Sequence, residues 1–395
     1  MDIEIPSSPS LQDILPEEPI LLMGAGPVPL PKSVSAANGV IINHMGPDMN
    51  KVLDGIKQMS RYVFQTKAEH IIGLSGPSSA GMEMAMTNLL WPGRRALVLV
   101  NGTFSHRFSE MAEAVGAEVD LLEADGNNPI TPSSVDEALS KNNYDVVTIV
   151  QGESSNGIKN IFISEIGKLV KAHGALYVVD AVCTLSTTEL LMDKWGIDLC
   201  LTGGQKGLAS IPGIALVAFA DSAWRVIENR TERMPHWCLD AKKAWNFWGY
   251  HNYHYTAPVP GLLATHQALH LIIEETLETR IARHEKASTA LQAGVKAMGF
   301  ELYIDEAFRL LSIVAITVPD GFDDQKMRSI MRDDHGVEIA SAFGHKIVRI
   351  GQMGEQCSRK NILRTLEAMA EATNQTGRKT DVKKCLDTAI SVLES

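Results

Sequence analysis

A chain of 395 residues is longer than one hydrophobic core usually serves, so a large domain with a smaller companion is expected. Its 45% apolar and 21% charged residues are those of a globular protein and exclude a largely disordered chain. A net charge of −11 argues against nucleic acid or an anionic membrane as principal partner, because both reward clustered Lys and Arg.

The first segment, "MDIEIPSSPSLQDILPEEP", is acidic and proline-rich where a targeting peptide would be basic and apolar. It reads as an arm over residues 1–21, and a cytoplasmic protein is the expectation. From about residue 70, short β-rich runs alternate with amphipathic helical segments: "RALVLVNG", "AEVDLLEA", "YDVVTIVQGE", "ALYVVDAV", "DLCLTGG" and "GIALVAFAD". That alternation predicts an α/β large domain over 22–275, its mainly parallel sheet covered by helices on both faces. A helical stretch from about Gly261 to Met298 follows the aromatic segment "AWNFWGYHNYHYTAPVPG". Then come "FELYI", "LLSIVAITVP", a helix near Asp324 to His335, "VEIASAF", "HKIVRIGQMG" and terminal helices, which predict a smaller α+β domain over 276–395. No apolar run reaches membrane-spanning length. The five cysteines are scattered, with no CxxC pair and no His cluster at ligand spacing, so a reducing compartment and no metal site are expected.

Several predicted strands end in small or polar residues, the place where open α/β sheets bind ligands. Lys206 lies in "TGGQKGLASIPG", after the strand ending near Leu201. A lysine whose pKa is lowered by burial is a nucleophile for a carbonyl, whereas a surface loop lysine is the plain alternative. Asp180 ends "LYVVD", 26 residues earlier, and a carboxylate there needs a cation or strong donor. A pyridinium nitrogen supplies one; a helix cap or a metal ligand are the other readings. In "LSGPSSAGMEMAMTNLL", Ser78 and Ser79 open a helix whose free N–H groups suit a phosphate, and capping alone explains them equally well. Phe104, just past a strand, is placed to cover a planar cofactor or to fill core. Ser154, in "GESSNG", donates to a ring oxygen or forms a turn. Arg349, inside the apolar run "KIVRIGQMG", needs an anion, either a substrate carboxylate or an internal acid.

In this order the segments "GAGPVPLP", "RYVFQTK", "GESSNG", "VVDAV", "GGQKGL", "LDAKKAWNFWG", "YHYTAPV", "LETRIARH" and "VRIGQMG" resemble those of the class V, fold type I aminotransferases dependent on pyridoxal phosphate (PLP). The nearest likeness is to the alanine:glyoxylate (serine:pyruvate) aminotransferases, and it spans nearly the whole chain. The resemblance implies a seven-stranded-type sheet, an internal aldimine on Lys206, and Asp180 paired with the pyridine nitrogen. It further implies that Phe104 stacks on the ring, Ser154 bonds its phenolic oxygen, and Gln205 with Ser78 and Ser79 holds the phosphate. Arg349 is implied to hold the substrate carboxylate, and Tyr253 and Thr256 to reach the phosphate of a neighbouring subunit in a homodimer. The expected reaction is transamination between a small amino acid, such as alanine or serine, and a small 2-oxo acid, most often glyoxylate or pyruvate.

Two departures stand out. Pro77-Ser78-Ser79 replaces the usual Ser-Gly-His, and Gln151 replaces a frequent histidine before "GES". The serine loop carries no Lys or Arg, so few cations for a dianion are expected from one chain, and the partner subunit is expected to close the phosphate site. Asn43, His44 and Met45 are candidates for setting donor choice. Rival readings on the scaffold are a ureidoglycine:glyoxylate enzyme, a pyridoxamine:pyruvate enzyme and a cysteine desulfurase; outside it, a nucleotide-binding dehydrogenase lacks its GxGxxG.

Overall fold

The computed structural model describes residue 4, residues 6–342 and residues 344–395. Seven strands form the main sheet: β1 His70–Ser75, β2 Arg95–Val100, β3 Glu118–Glu123, β4 Val146–Val150, β5 Leu176–Asp180, β6 Leu199–Gly203 and β7 Ile214–Phe219, in spatial order β1-β7-β6-β5-β4-β2-β3. Only β7 runs against the others, pairing antiparallel with β1 and β6. The fold class expected from sequence is the one observed.

Every residue of β4, β5, β6 and β7 is buried, as a sheet covered on both faces requires. The edge strand β3 instead turns Glu118, Asp120 and Glu123 outward; Arg95 of β2 pairs with Glu118 and Asp120, so the open edge is charged. Helices α1 Ser78–Leu89 and α2 Thr103–Ala114 leave the carboxyl ends of β1 and β2. With β7 reversed, the carboxyl ends of β1, β2, β4, β5 and β6 all meet at one rim.

The helical stretch expected as continuous from Gly261 to Met298 is two helices, α3 Val259–Glu275 and α4 Leu277–Ala297, parted at Thr276. Thr276 has φ +66°, outside the helical range, and its side chain accepts from the Thr279 N–H to cap α4. Beyond it, β8 Ile313–Thr317, β9 Ala340–Ser341 and β10 Ile347–Gly351 form a second, antiparallel sheet in the order β8-β10-β9. "FELYI" does not form a strand, touching β8 only through a Leu302–Ile316 bridge. "VEIASAF" feeds two sheets: Ala340–Ser341 joins β10, while Val337–Glu338 pairs in parallel with Leu21–Leu22. Helices α5 Asp324–His335, α6 Arg359–Gln375 and α7 Val382–Glu394 cover this unit, whose own core includes Met23, Leu291, Ile316, Val348 and Leu366. Among the described residues no helix is long and apolar enough to cross a membrane.

Candidate active site

Lys206, Asp180, Ser154, Gln205, Phe104, Ser78 and Ser79 line one cavity at the shared carboxyl rim. Asp180 is the last residue of β5 and only 4% exposed; its carboxylate accepts from the Val182 N–H at 2.8 Å. Burial raises its pKa to about 7, Glu153 adds to the rise, and Val182, Lys206 and Arg107 oppose it. A strong cationic donor in the cavity would meet the need that one N–H leaves.

Lys206 follows β6 on a tight loop, and its Nζ donates to Ser154 Oγ at 3.2 Å. Burial drives its pKa below the usual lysine range, the Arg349 guanidinium adds to this, and Asp180 and Glu153 pull the other way. The Nζ stands 5.4 Å from the centroid of the Phe104 ring. Glycine makes the loop possible for reasons other than room for a ligand: a Cβ on Gly203 would collide with the Ser78 side chain and lie 2.6 Å from Gln205 Oε1. Those two side chains are joined, Gln205 Nε2 donating to Ser78 Oγ at 2.8 Å. Gly26, at φ +105°, faces the lysine itself, and a Cβ there would lie 3.3 Å from Lys206 Cε.

Two residues that sequence reading missed organise this site. Glu153 is fully buried, and its carboxylate accepts from the N–H groups of Phe104, Ser105 and Ser155 and from the Ser105 and Ser155 hydroxyls. It clamps the start of α2, which carries Phe104, to the loop that carries Ser154, and the helix dipole favours its charge. "GESSNG" contained it, but an isolated acid in a turn gives no sign of what it will face. Arg107, one turn after Phe104, brings its guanidinium to 4.7 Å from the Phe104 ring centroid and 3.3 Å from Ser79 Oγ. The serine loop itself carries no cation, and the one arginine that lines the cavity among the described residues comes from α2, on the same wall as that loop.

Arg349 sits at the centre of β10, opposite Ala315 and Ala340, and is 5% exposed. Its guanidinium donates to the Ser341 carbonyl and, at 2.6 Å, to the Ser154 carbonyl. No acid pairs with it among the described residues, so the internal salt bridge is not formed. Gln151, the other departure, donates its N–H to the Asp180 carbonyl at 2.9 Å and its side-chain amide to the Glu189 carbonyl. Tyr253 and Thr256 are not brought to this cavity; both are exposed, Tyr253 by 62%. His44 packs edge-on against Tyr253 and accepts from the Ala257 N–H, so Asn43 to Met45 stand with that exposed segment rather than at Lys206.

The profile of the family described as aminotransferase class-V matches residues 32–364. The chain is a class V aminotransferase. Alanine–glyoxylate aminotransferase of Felis catus is 34% identical over 367 residues, covering 91% of this chain and 88% of that one. The (S)-ureidoglycine–glyoxylate transaminase of Bacillus subtilis is 29% identical over 95% of both chains. In solved structures, a ureidoglycine–glyoxylate aminotransferase from Bacillus subtilis superposes with a TM-score of 0.92 at 29% identity, covering 96% of this chain and all of the other. Pyridoxamine–pyruvate aminotransferase from Mesorhizobium loti gives 0.90 at 26% identity, over 96% and 99%.

Aminotransferases of this class and fold depend on PLP, and the cavity fits that group. Asp180, buried with a single donor, suits a pyridinium N–H; Phe104 offers a ring face; Lys206 is a deprotonatable amine; and the serine loop presents a helix start to a phosphate.

Proposed function

We propose that this aminotransferase takes its amino group from a small amino acid such as alanine or serine and passes it to a small 2-oxo acid, with glyoxylate as the acceptor. The observation that carries this reading is the link from Arg349 through Ser154 to Lys206: Arg349 donates to the Ser154 carbonyl at 2.6 Å, and Ser154 Oγ receives Lys206 Nζ at 3.2 Å. A carboxylate taken by the free N–H groups of Arg349 puts a short α-carbon within reach of Nζ. Glyoxylate is also the acceptor named for both curated relatives above.

PLP, when bound, provides an electron sink for the bond broken at the substrate α-carbon. Lys206, whose charged form burial disfavours, takes the α-proton at Nζ. Ser154 Oγ orients that nitrogen, Arg349 holds the carboxylate, and Asp180 keeps its carboxylate against the ring nitrogen. We further propose a homodimer in which the exposed Tyr253 and Thr256 reach the phosphate of the other subunit.

The test is a half-reaction screen: single amino acids are added to the holoenzyme while cofactor absorbance is followed, then single 2-oxo acids are offered to the aminated form. Alanine or serine should convert the cofactor and glyoxylate should restore it, with Lys206→Ala slowing the first step by about 10³-fold. Conversion by pyridoxamine and pyruvate alone would replace the proposal with the activity named for the Mesorhizobium loti neighbour.

A further inference from the structure

The usual Ser-Gly-His of the phosphate loop is absent, and the serine loop itself contains no cation. The start of α1 provides direction without charge. Its N-cap is Pro77, with no side-chain cap, so the N–H groups of Ser78 and Ser79 are left for another acceptor. A phosphate ester carries close to two negative charges at neutral pH, and two N–H groups with hydroxyl and amide donors neutralise little of that.

Arg107 is the positive group on the same wall. Spacing of three residues along α2 puts it on the face of Phe104, and the ring is the surface on which its guanidinium lies, 4.7 Å from the centroid. From there Nη1 donates at 3.3 Å to the hydroxyl of Ser79, whose N–H is one of those at the start of α1. Among the described residues no carboxylate lies within ion-pair distance of it. Arg94 and Arg95, on the same side of the sheet order, are by contrast paired with Asp145, Glu118 and Asp120. Arg107 is nonetheless close enough to Asp180 to pull that carboxyl down, which sets it inside the cofactor cavity.

We propose that Arg107 is the residue of this chain that holds the cofactor's phosphate, replacing from α2 the contacts that the altered loop has lost. The inference rests on PLP occupying this cavity. A guanidinium fork resting over Phe104 and tied to Ser79 is held ready for phosphate oxygens, so the dianion would take the fork as its fixed cation and the two N–H groups of α1 as its cradle.

The experiment compares PLP with pyridoxal, which lacks the phosphate, in titrations of the cofactor-free full-length protein followed by absorbance and tryptophan quenching. Arg107→Gln should weaken PLP by about 30- to 100-fold, the range of one charge-assisted contact, while pyridoxal changes less than about threefold. Arg107→Lys, which keeps the charge without the fork, should recover part of the loss and also serves if the Gln protein is misfolded by circular dichroism. Inorganic phosphate should raise the melting temperature of the wild type and not of Arg107→Gln. Equal weakening of both ligands, or unchanged PLP affinity, would overturn the proposal. Failure of the underlying reading looks different, because the wild type itself would then bind neither ligand.

Discussion

Two places in the molecule bury charge, and they treat it in opposite ways. At the junction of α3 and α4, Glu275 takes Arg280 Nη1 at 2.8 Å on one oxygen and Arg283 Nε on the other. The remaining nitrogens of Arg280 reach Ser186 Oγ and the Gly207 carbonyl, and Arg283 Nη1 reaches the Gly354 carbonyl. Every guanidinium nitrogen there has a partner. In the cavity around Lys206, among the described residues, Asp180 has one donor, Arg107 no acid, and Gln205 Oε1 no partner at all. Satisfied polarity holds the two units in register; unsatisfied polarity marks where a ligand completes the structure. The two are adjacent, since Gly207, which Arg280 holds, follows Lys206 directly in the chain.

Asp180→Asn tests that contrast most strongly. Loss of the carboxylate should slow the half-reaction by about 10²- to 10³-fold. In cofactor-free protein the same change should stabilise. The folded pKa, about 7, lies above the unfolded one, so the folded state keeps the proton that the unfolded chain loses, and stability falls as pH rises through that window. Urea unfolding of the two cofactor-free proteins should coincide near pH 4 and diverge upward, with Asp180→Asn more stable at pH 8 by on the order of 2–4 kcal/mol. Equal stability at pH 8 would show that the carboxylate is already satisfied without a ligand.

The clasp should answer in the other direction. Glu275→Gln leaves two arginines facing each other without their acid, and Arg280 is almost wholly buried. We expect a loss of about 2–3 kcal/mol, below that of a fully enclosed pair because Arg283 is partly exposed. The amination rate should fall less than the stability does. A variant as stable as the wild type would mean the clasp is dispensable, and the contrast with the cavity would fail.

Much of this arrangement was legible in the chain because strands buried on both faces must read as continuous apolar runs. Asp180 and Lys206 then followed as polar residues at the ends of such runs. The strand His70–Ser75 escaped notice as a strand because its start, His70, is polar and its end merges with "SGPSS". The break at Thr276 carries neither Gly nor Pro, only the Thr-x-x-Thr of a cap. Arg107 and Glu153 escaped because their roles depend on which strands become neighbours. α2 follows β2 and "GES" follows β4, and only the sheet order sets those two strands side by side.

The smallest expected effect is confined to acid pH. His284, buried on α4 beside the clasp, donates from Nδ1 to the Arg280 carbonyl at 2.7 Å, and its Nε2 accepts from the Gly354 N–H at 3.1 Å. Both ring nitrogens are thus committed to the neutral form. Burial, with Arg280 and Arg283 close by and Glu275 only partly offsetting them, pushes its pKa down to about 3. The folded value lies below the unfolded one near 6.5, so the unfolded chain takes up a proton first. The stability this histidine supports is complete above pH 6.5 and is lost progressively as pH falls toward 3. Between pH 7 and 5 the wild type should therefore lose about 2 kcal/mol that a His284→Gln protein does not. Because Gly354 belongs to the second unit and Arg280 grips the lysine loop, loosening should show first as faster hydrogen exchange at Gly354 and Gly207. Parallel pH profiles for the two proteins would place the acid sensitivity elsewhere, with the carboxylates of the β3 edge as the next groups to examine.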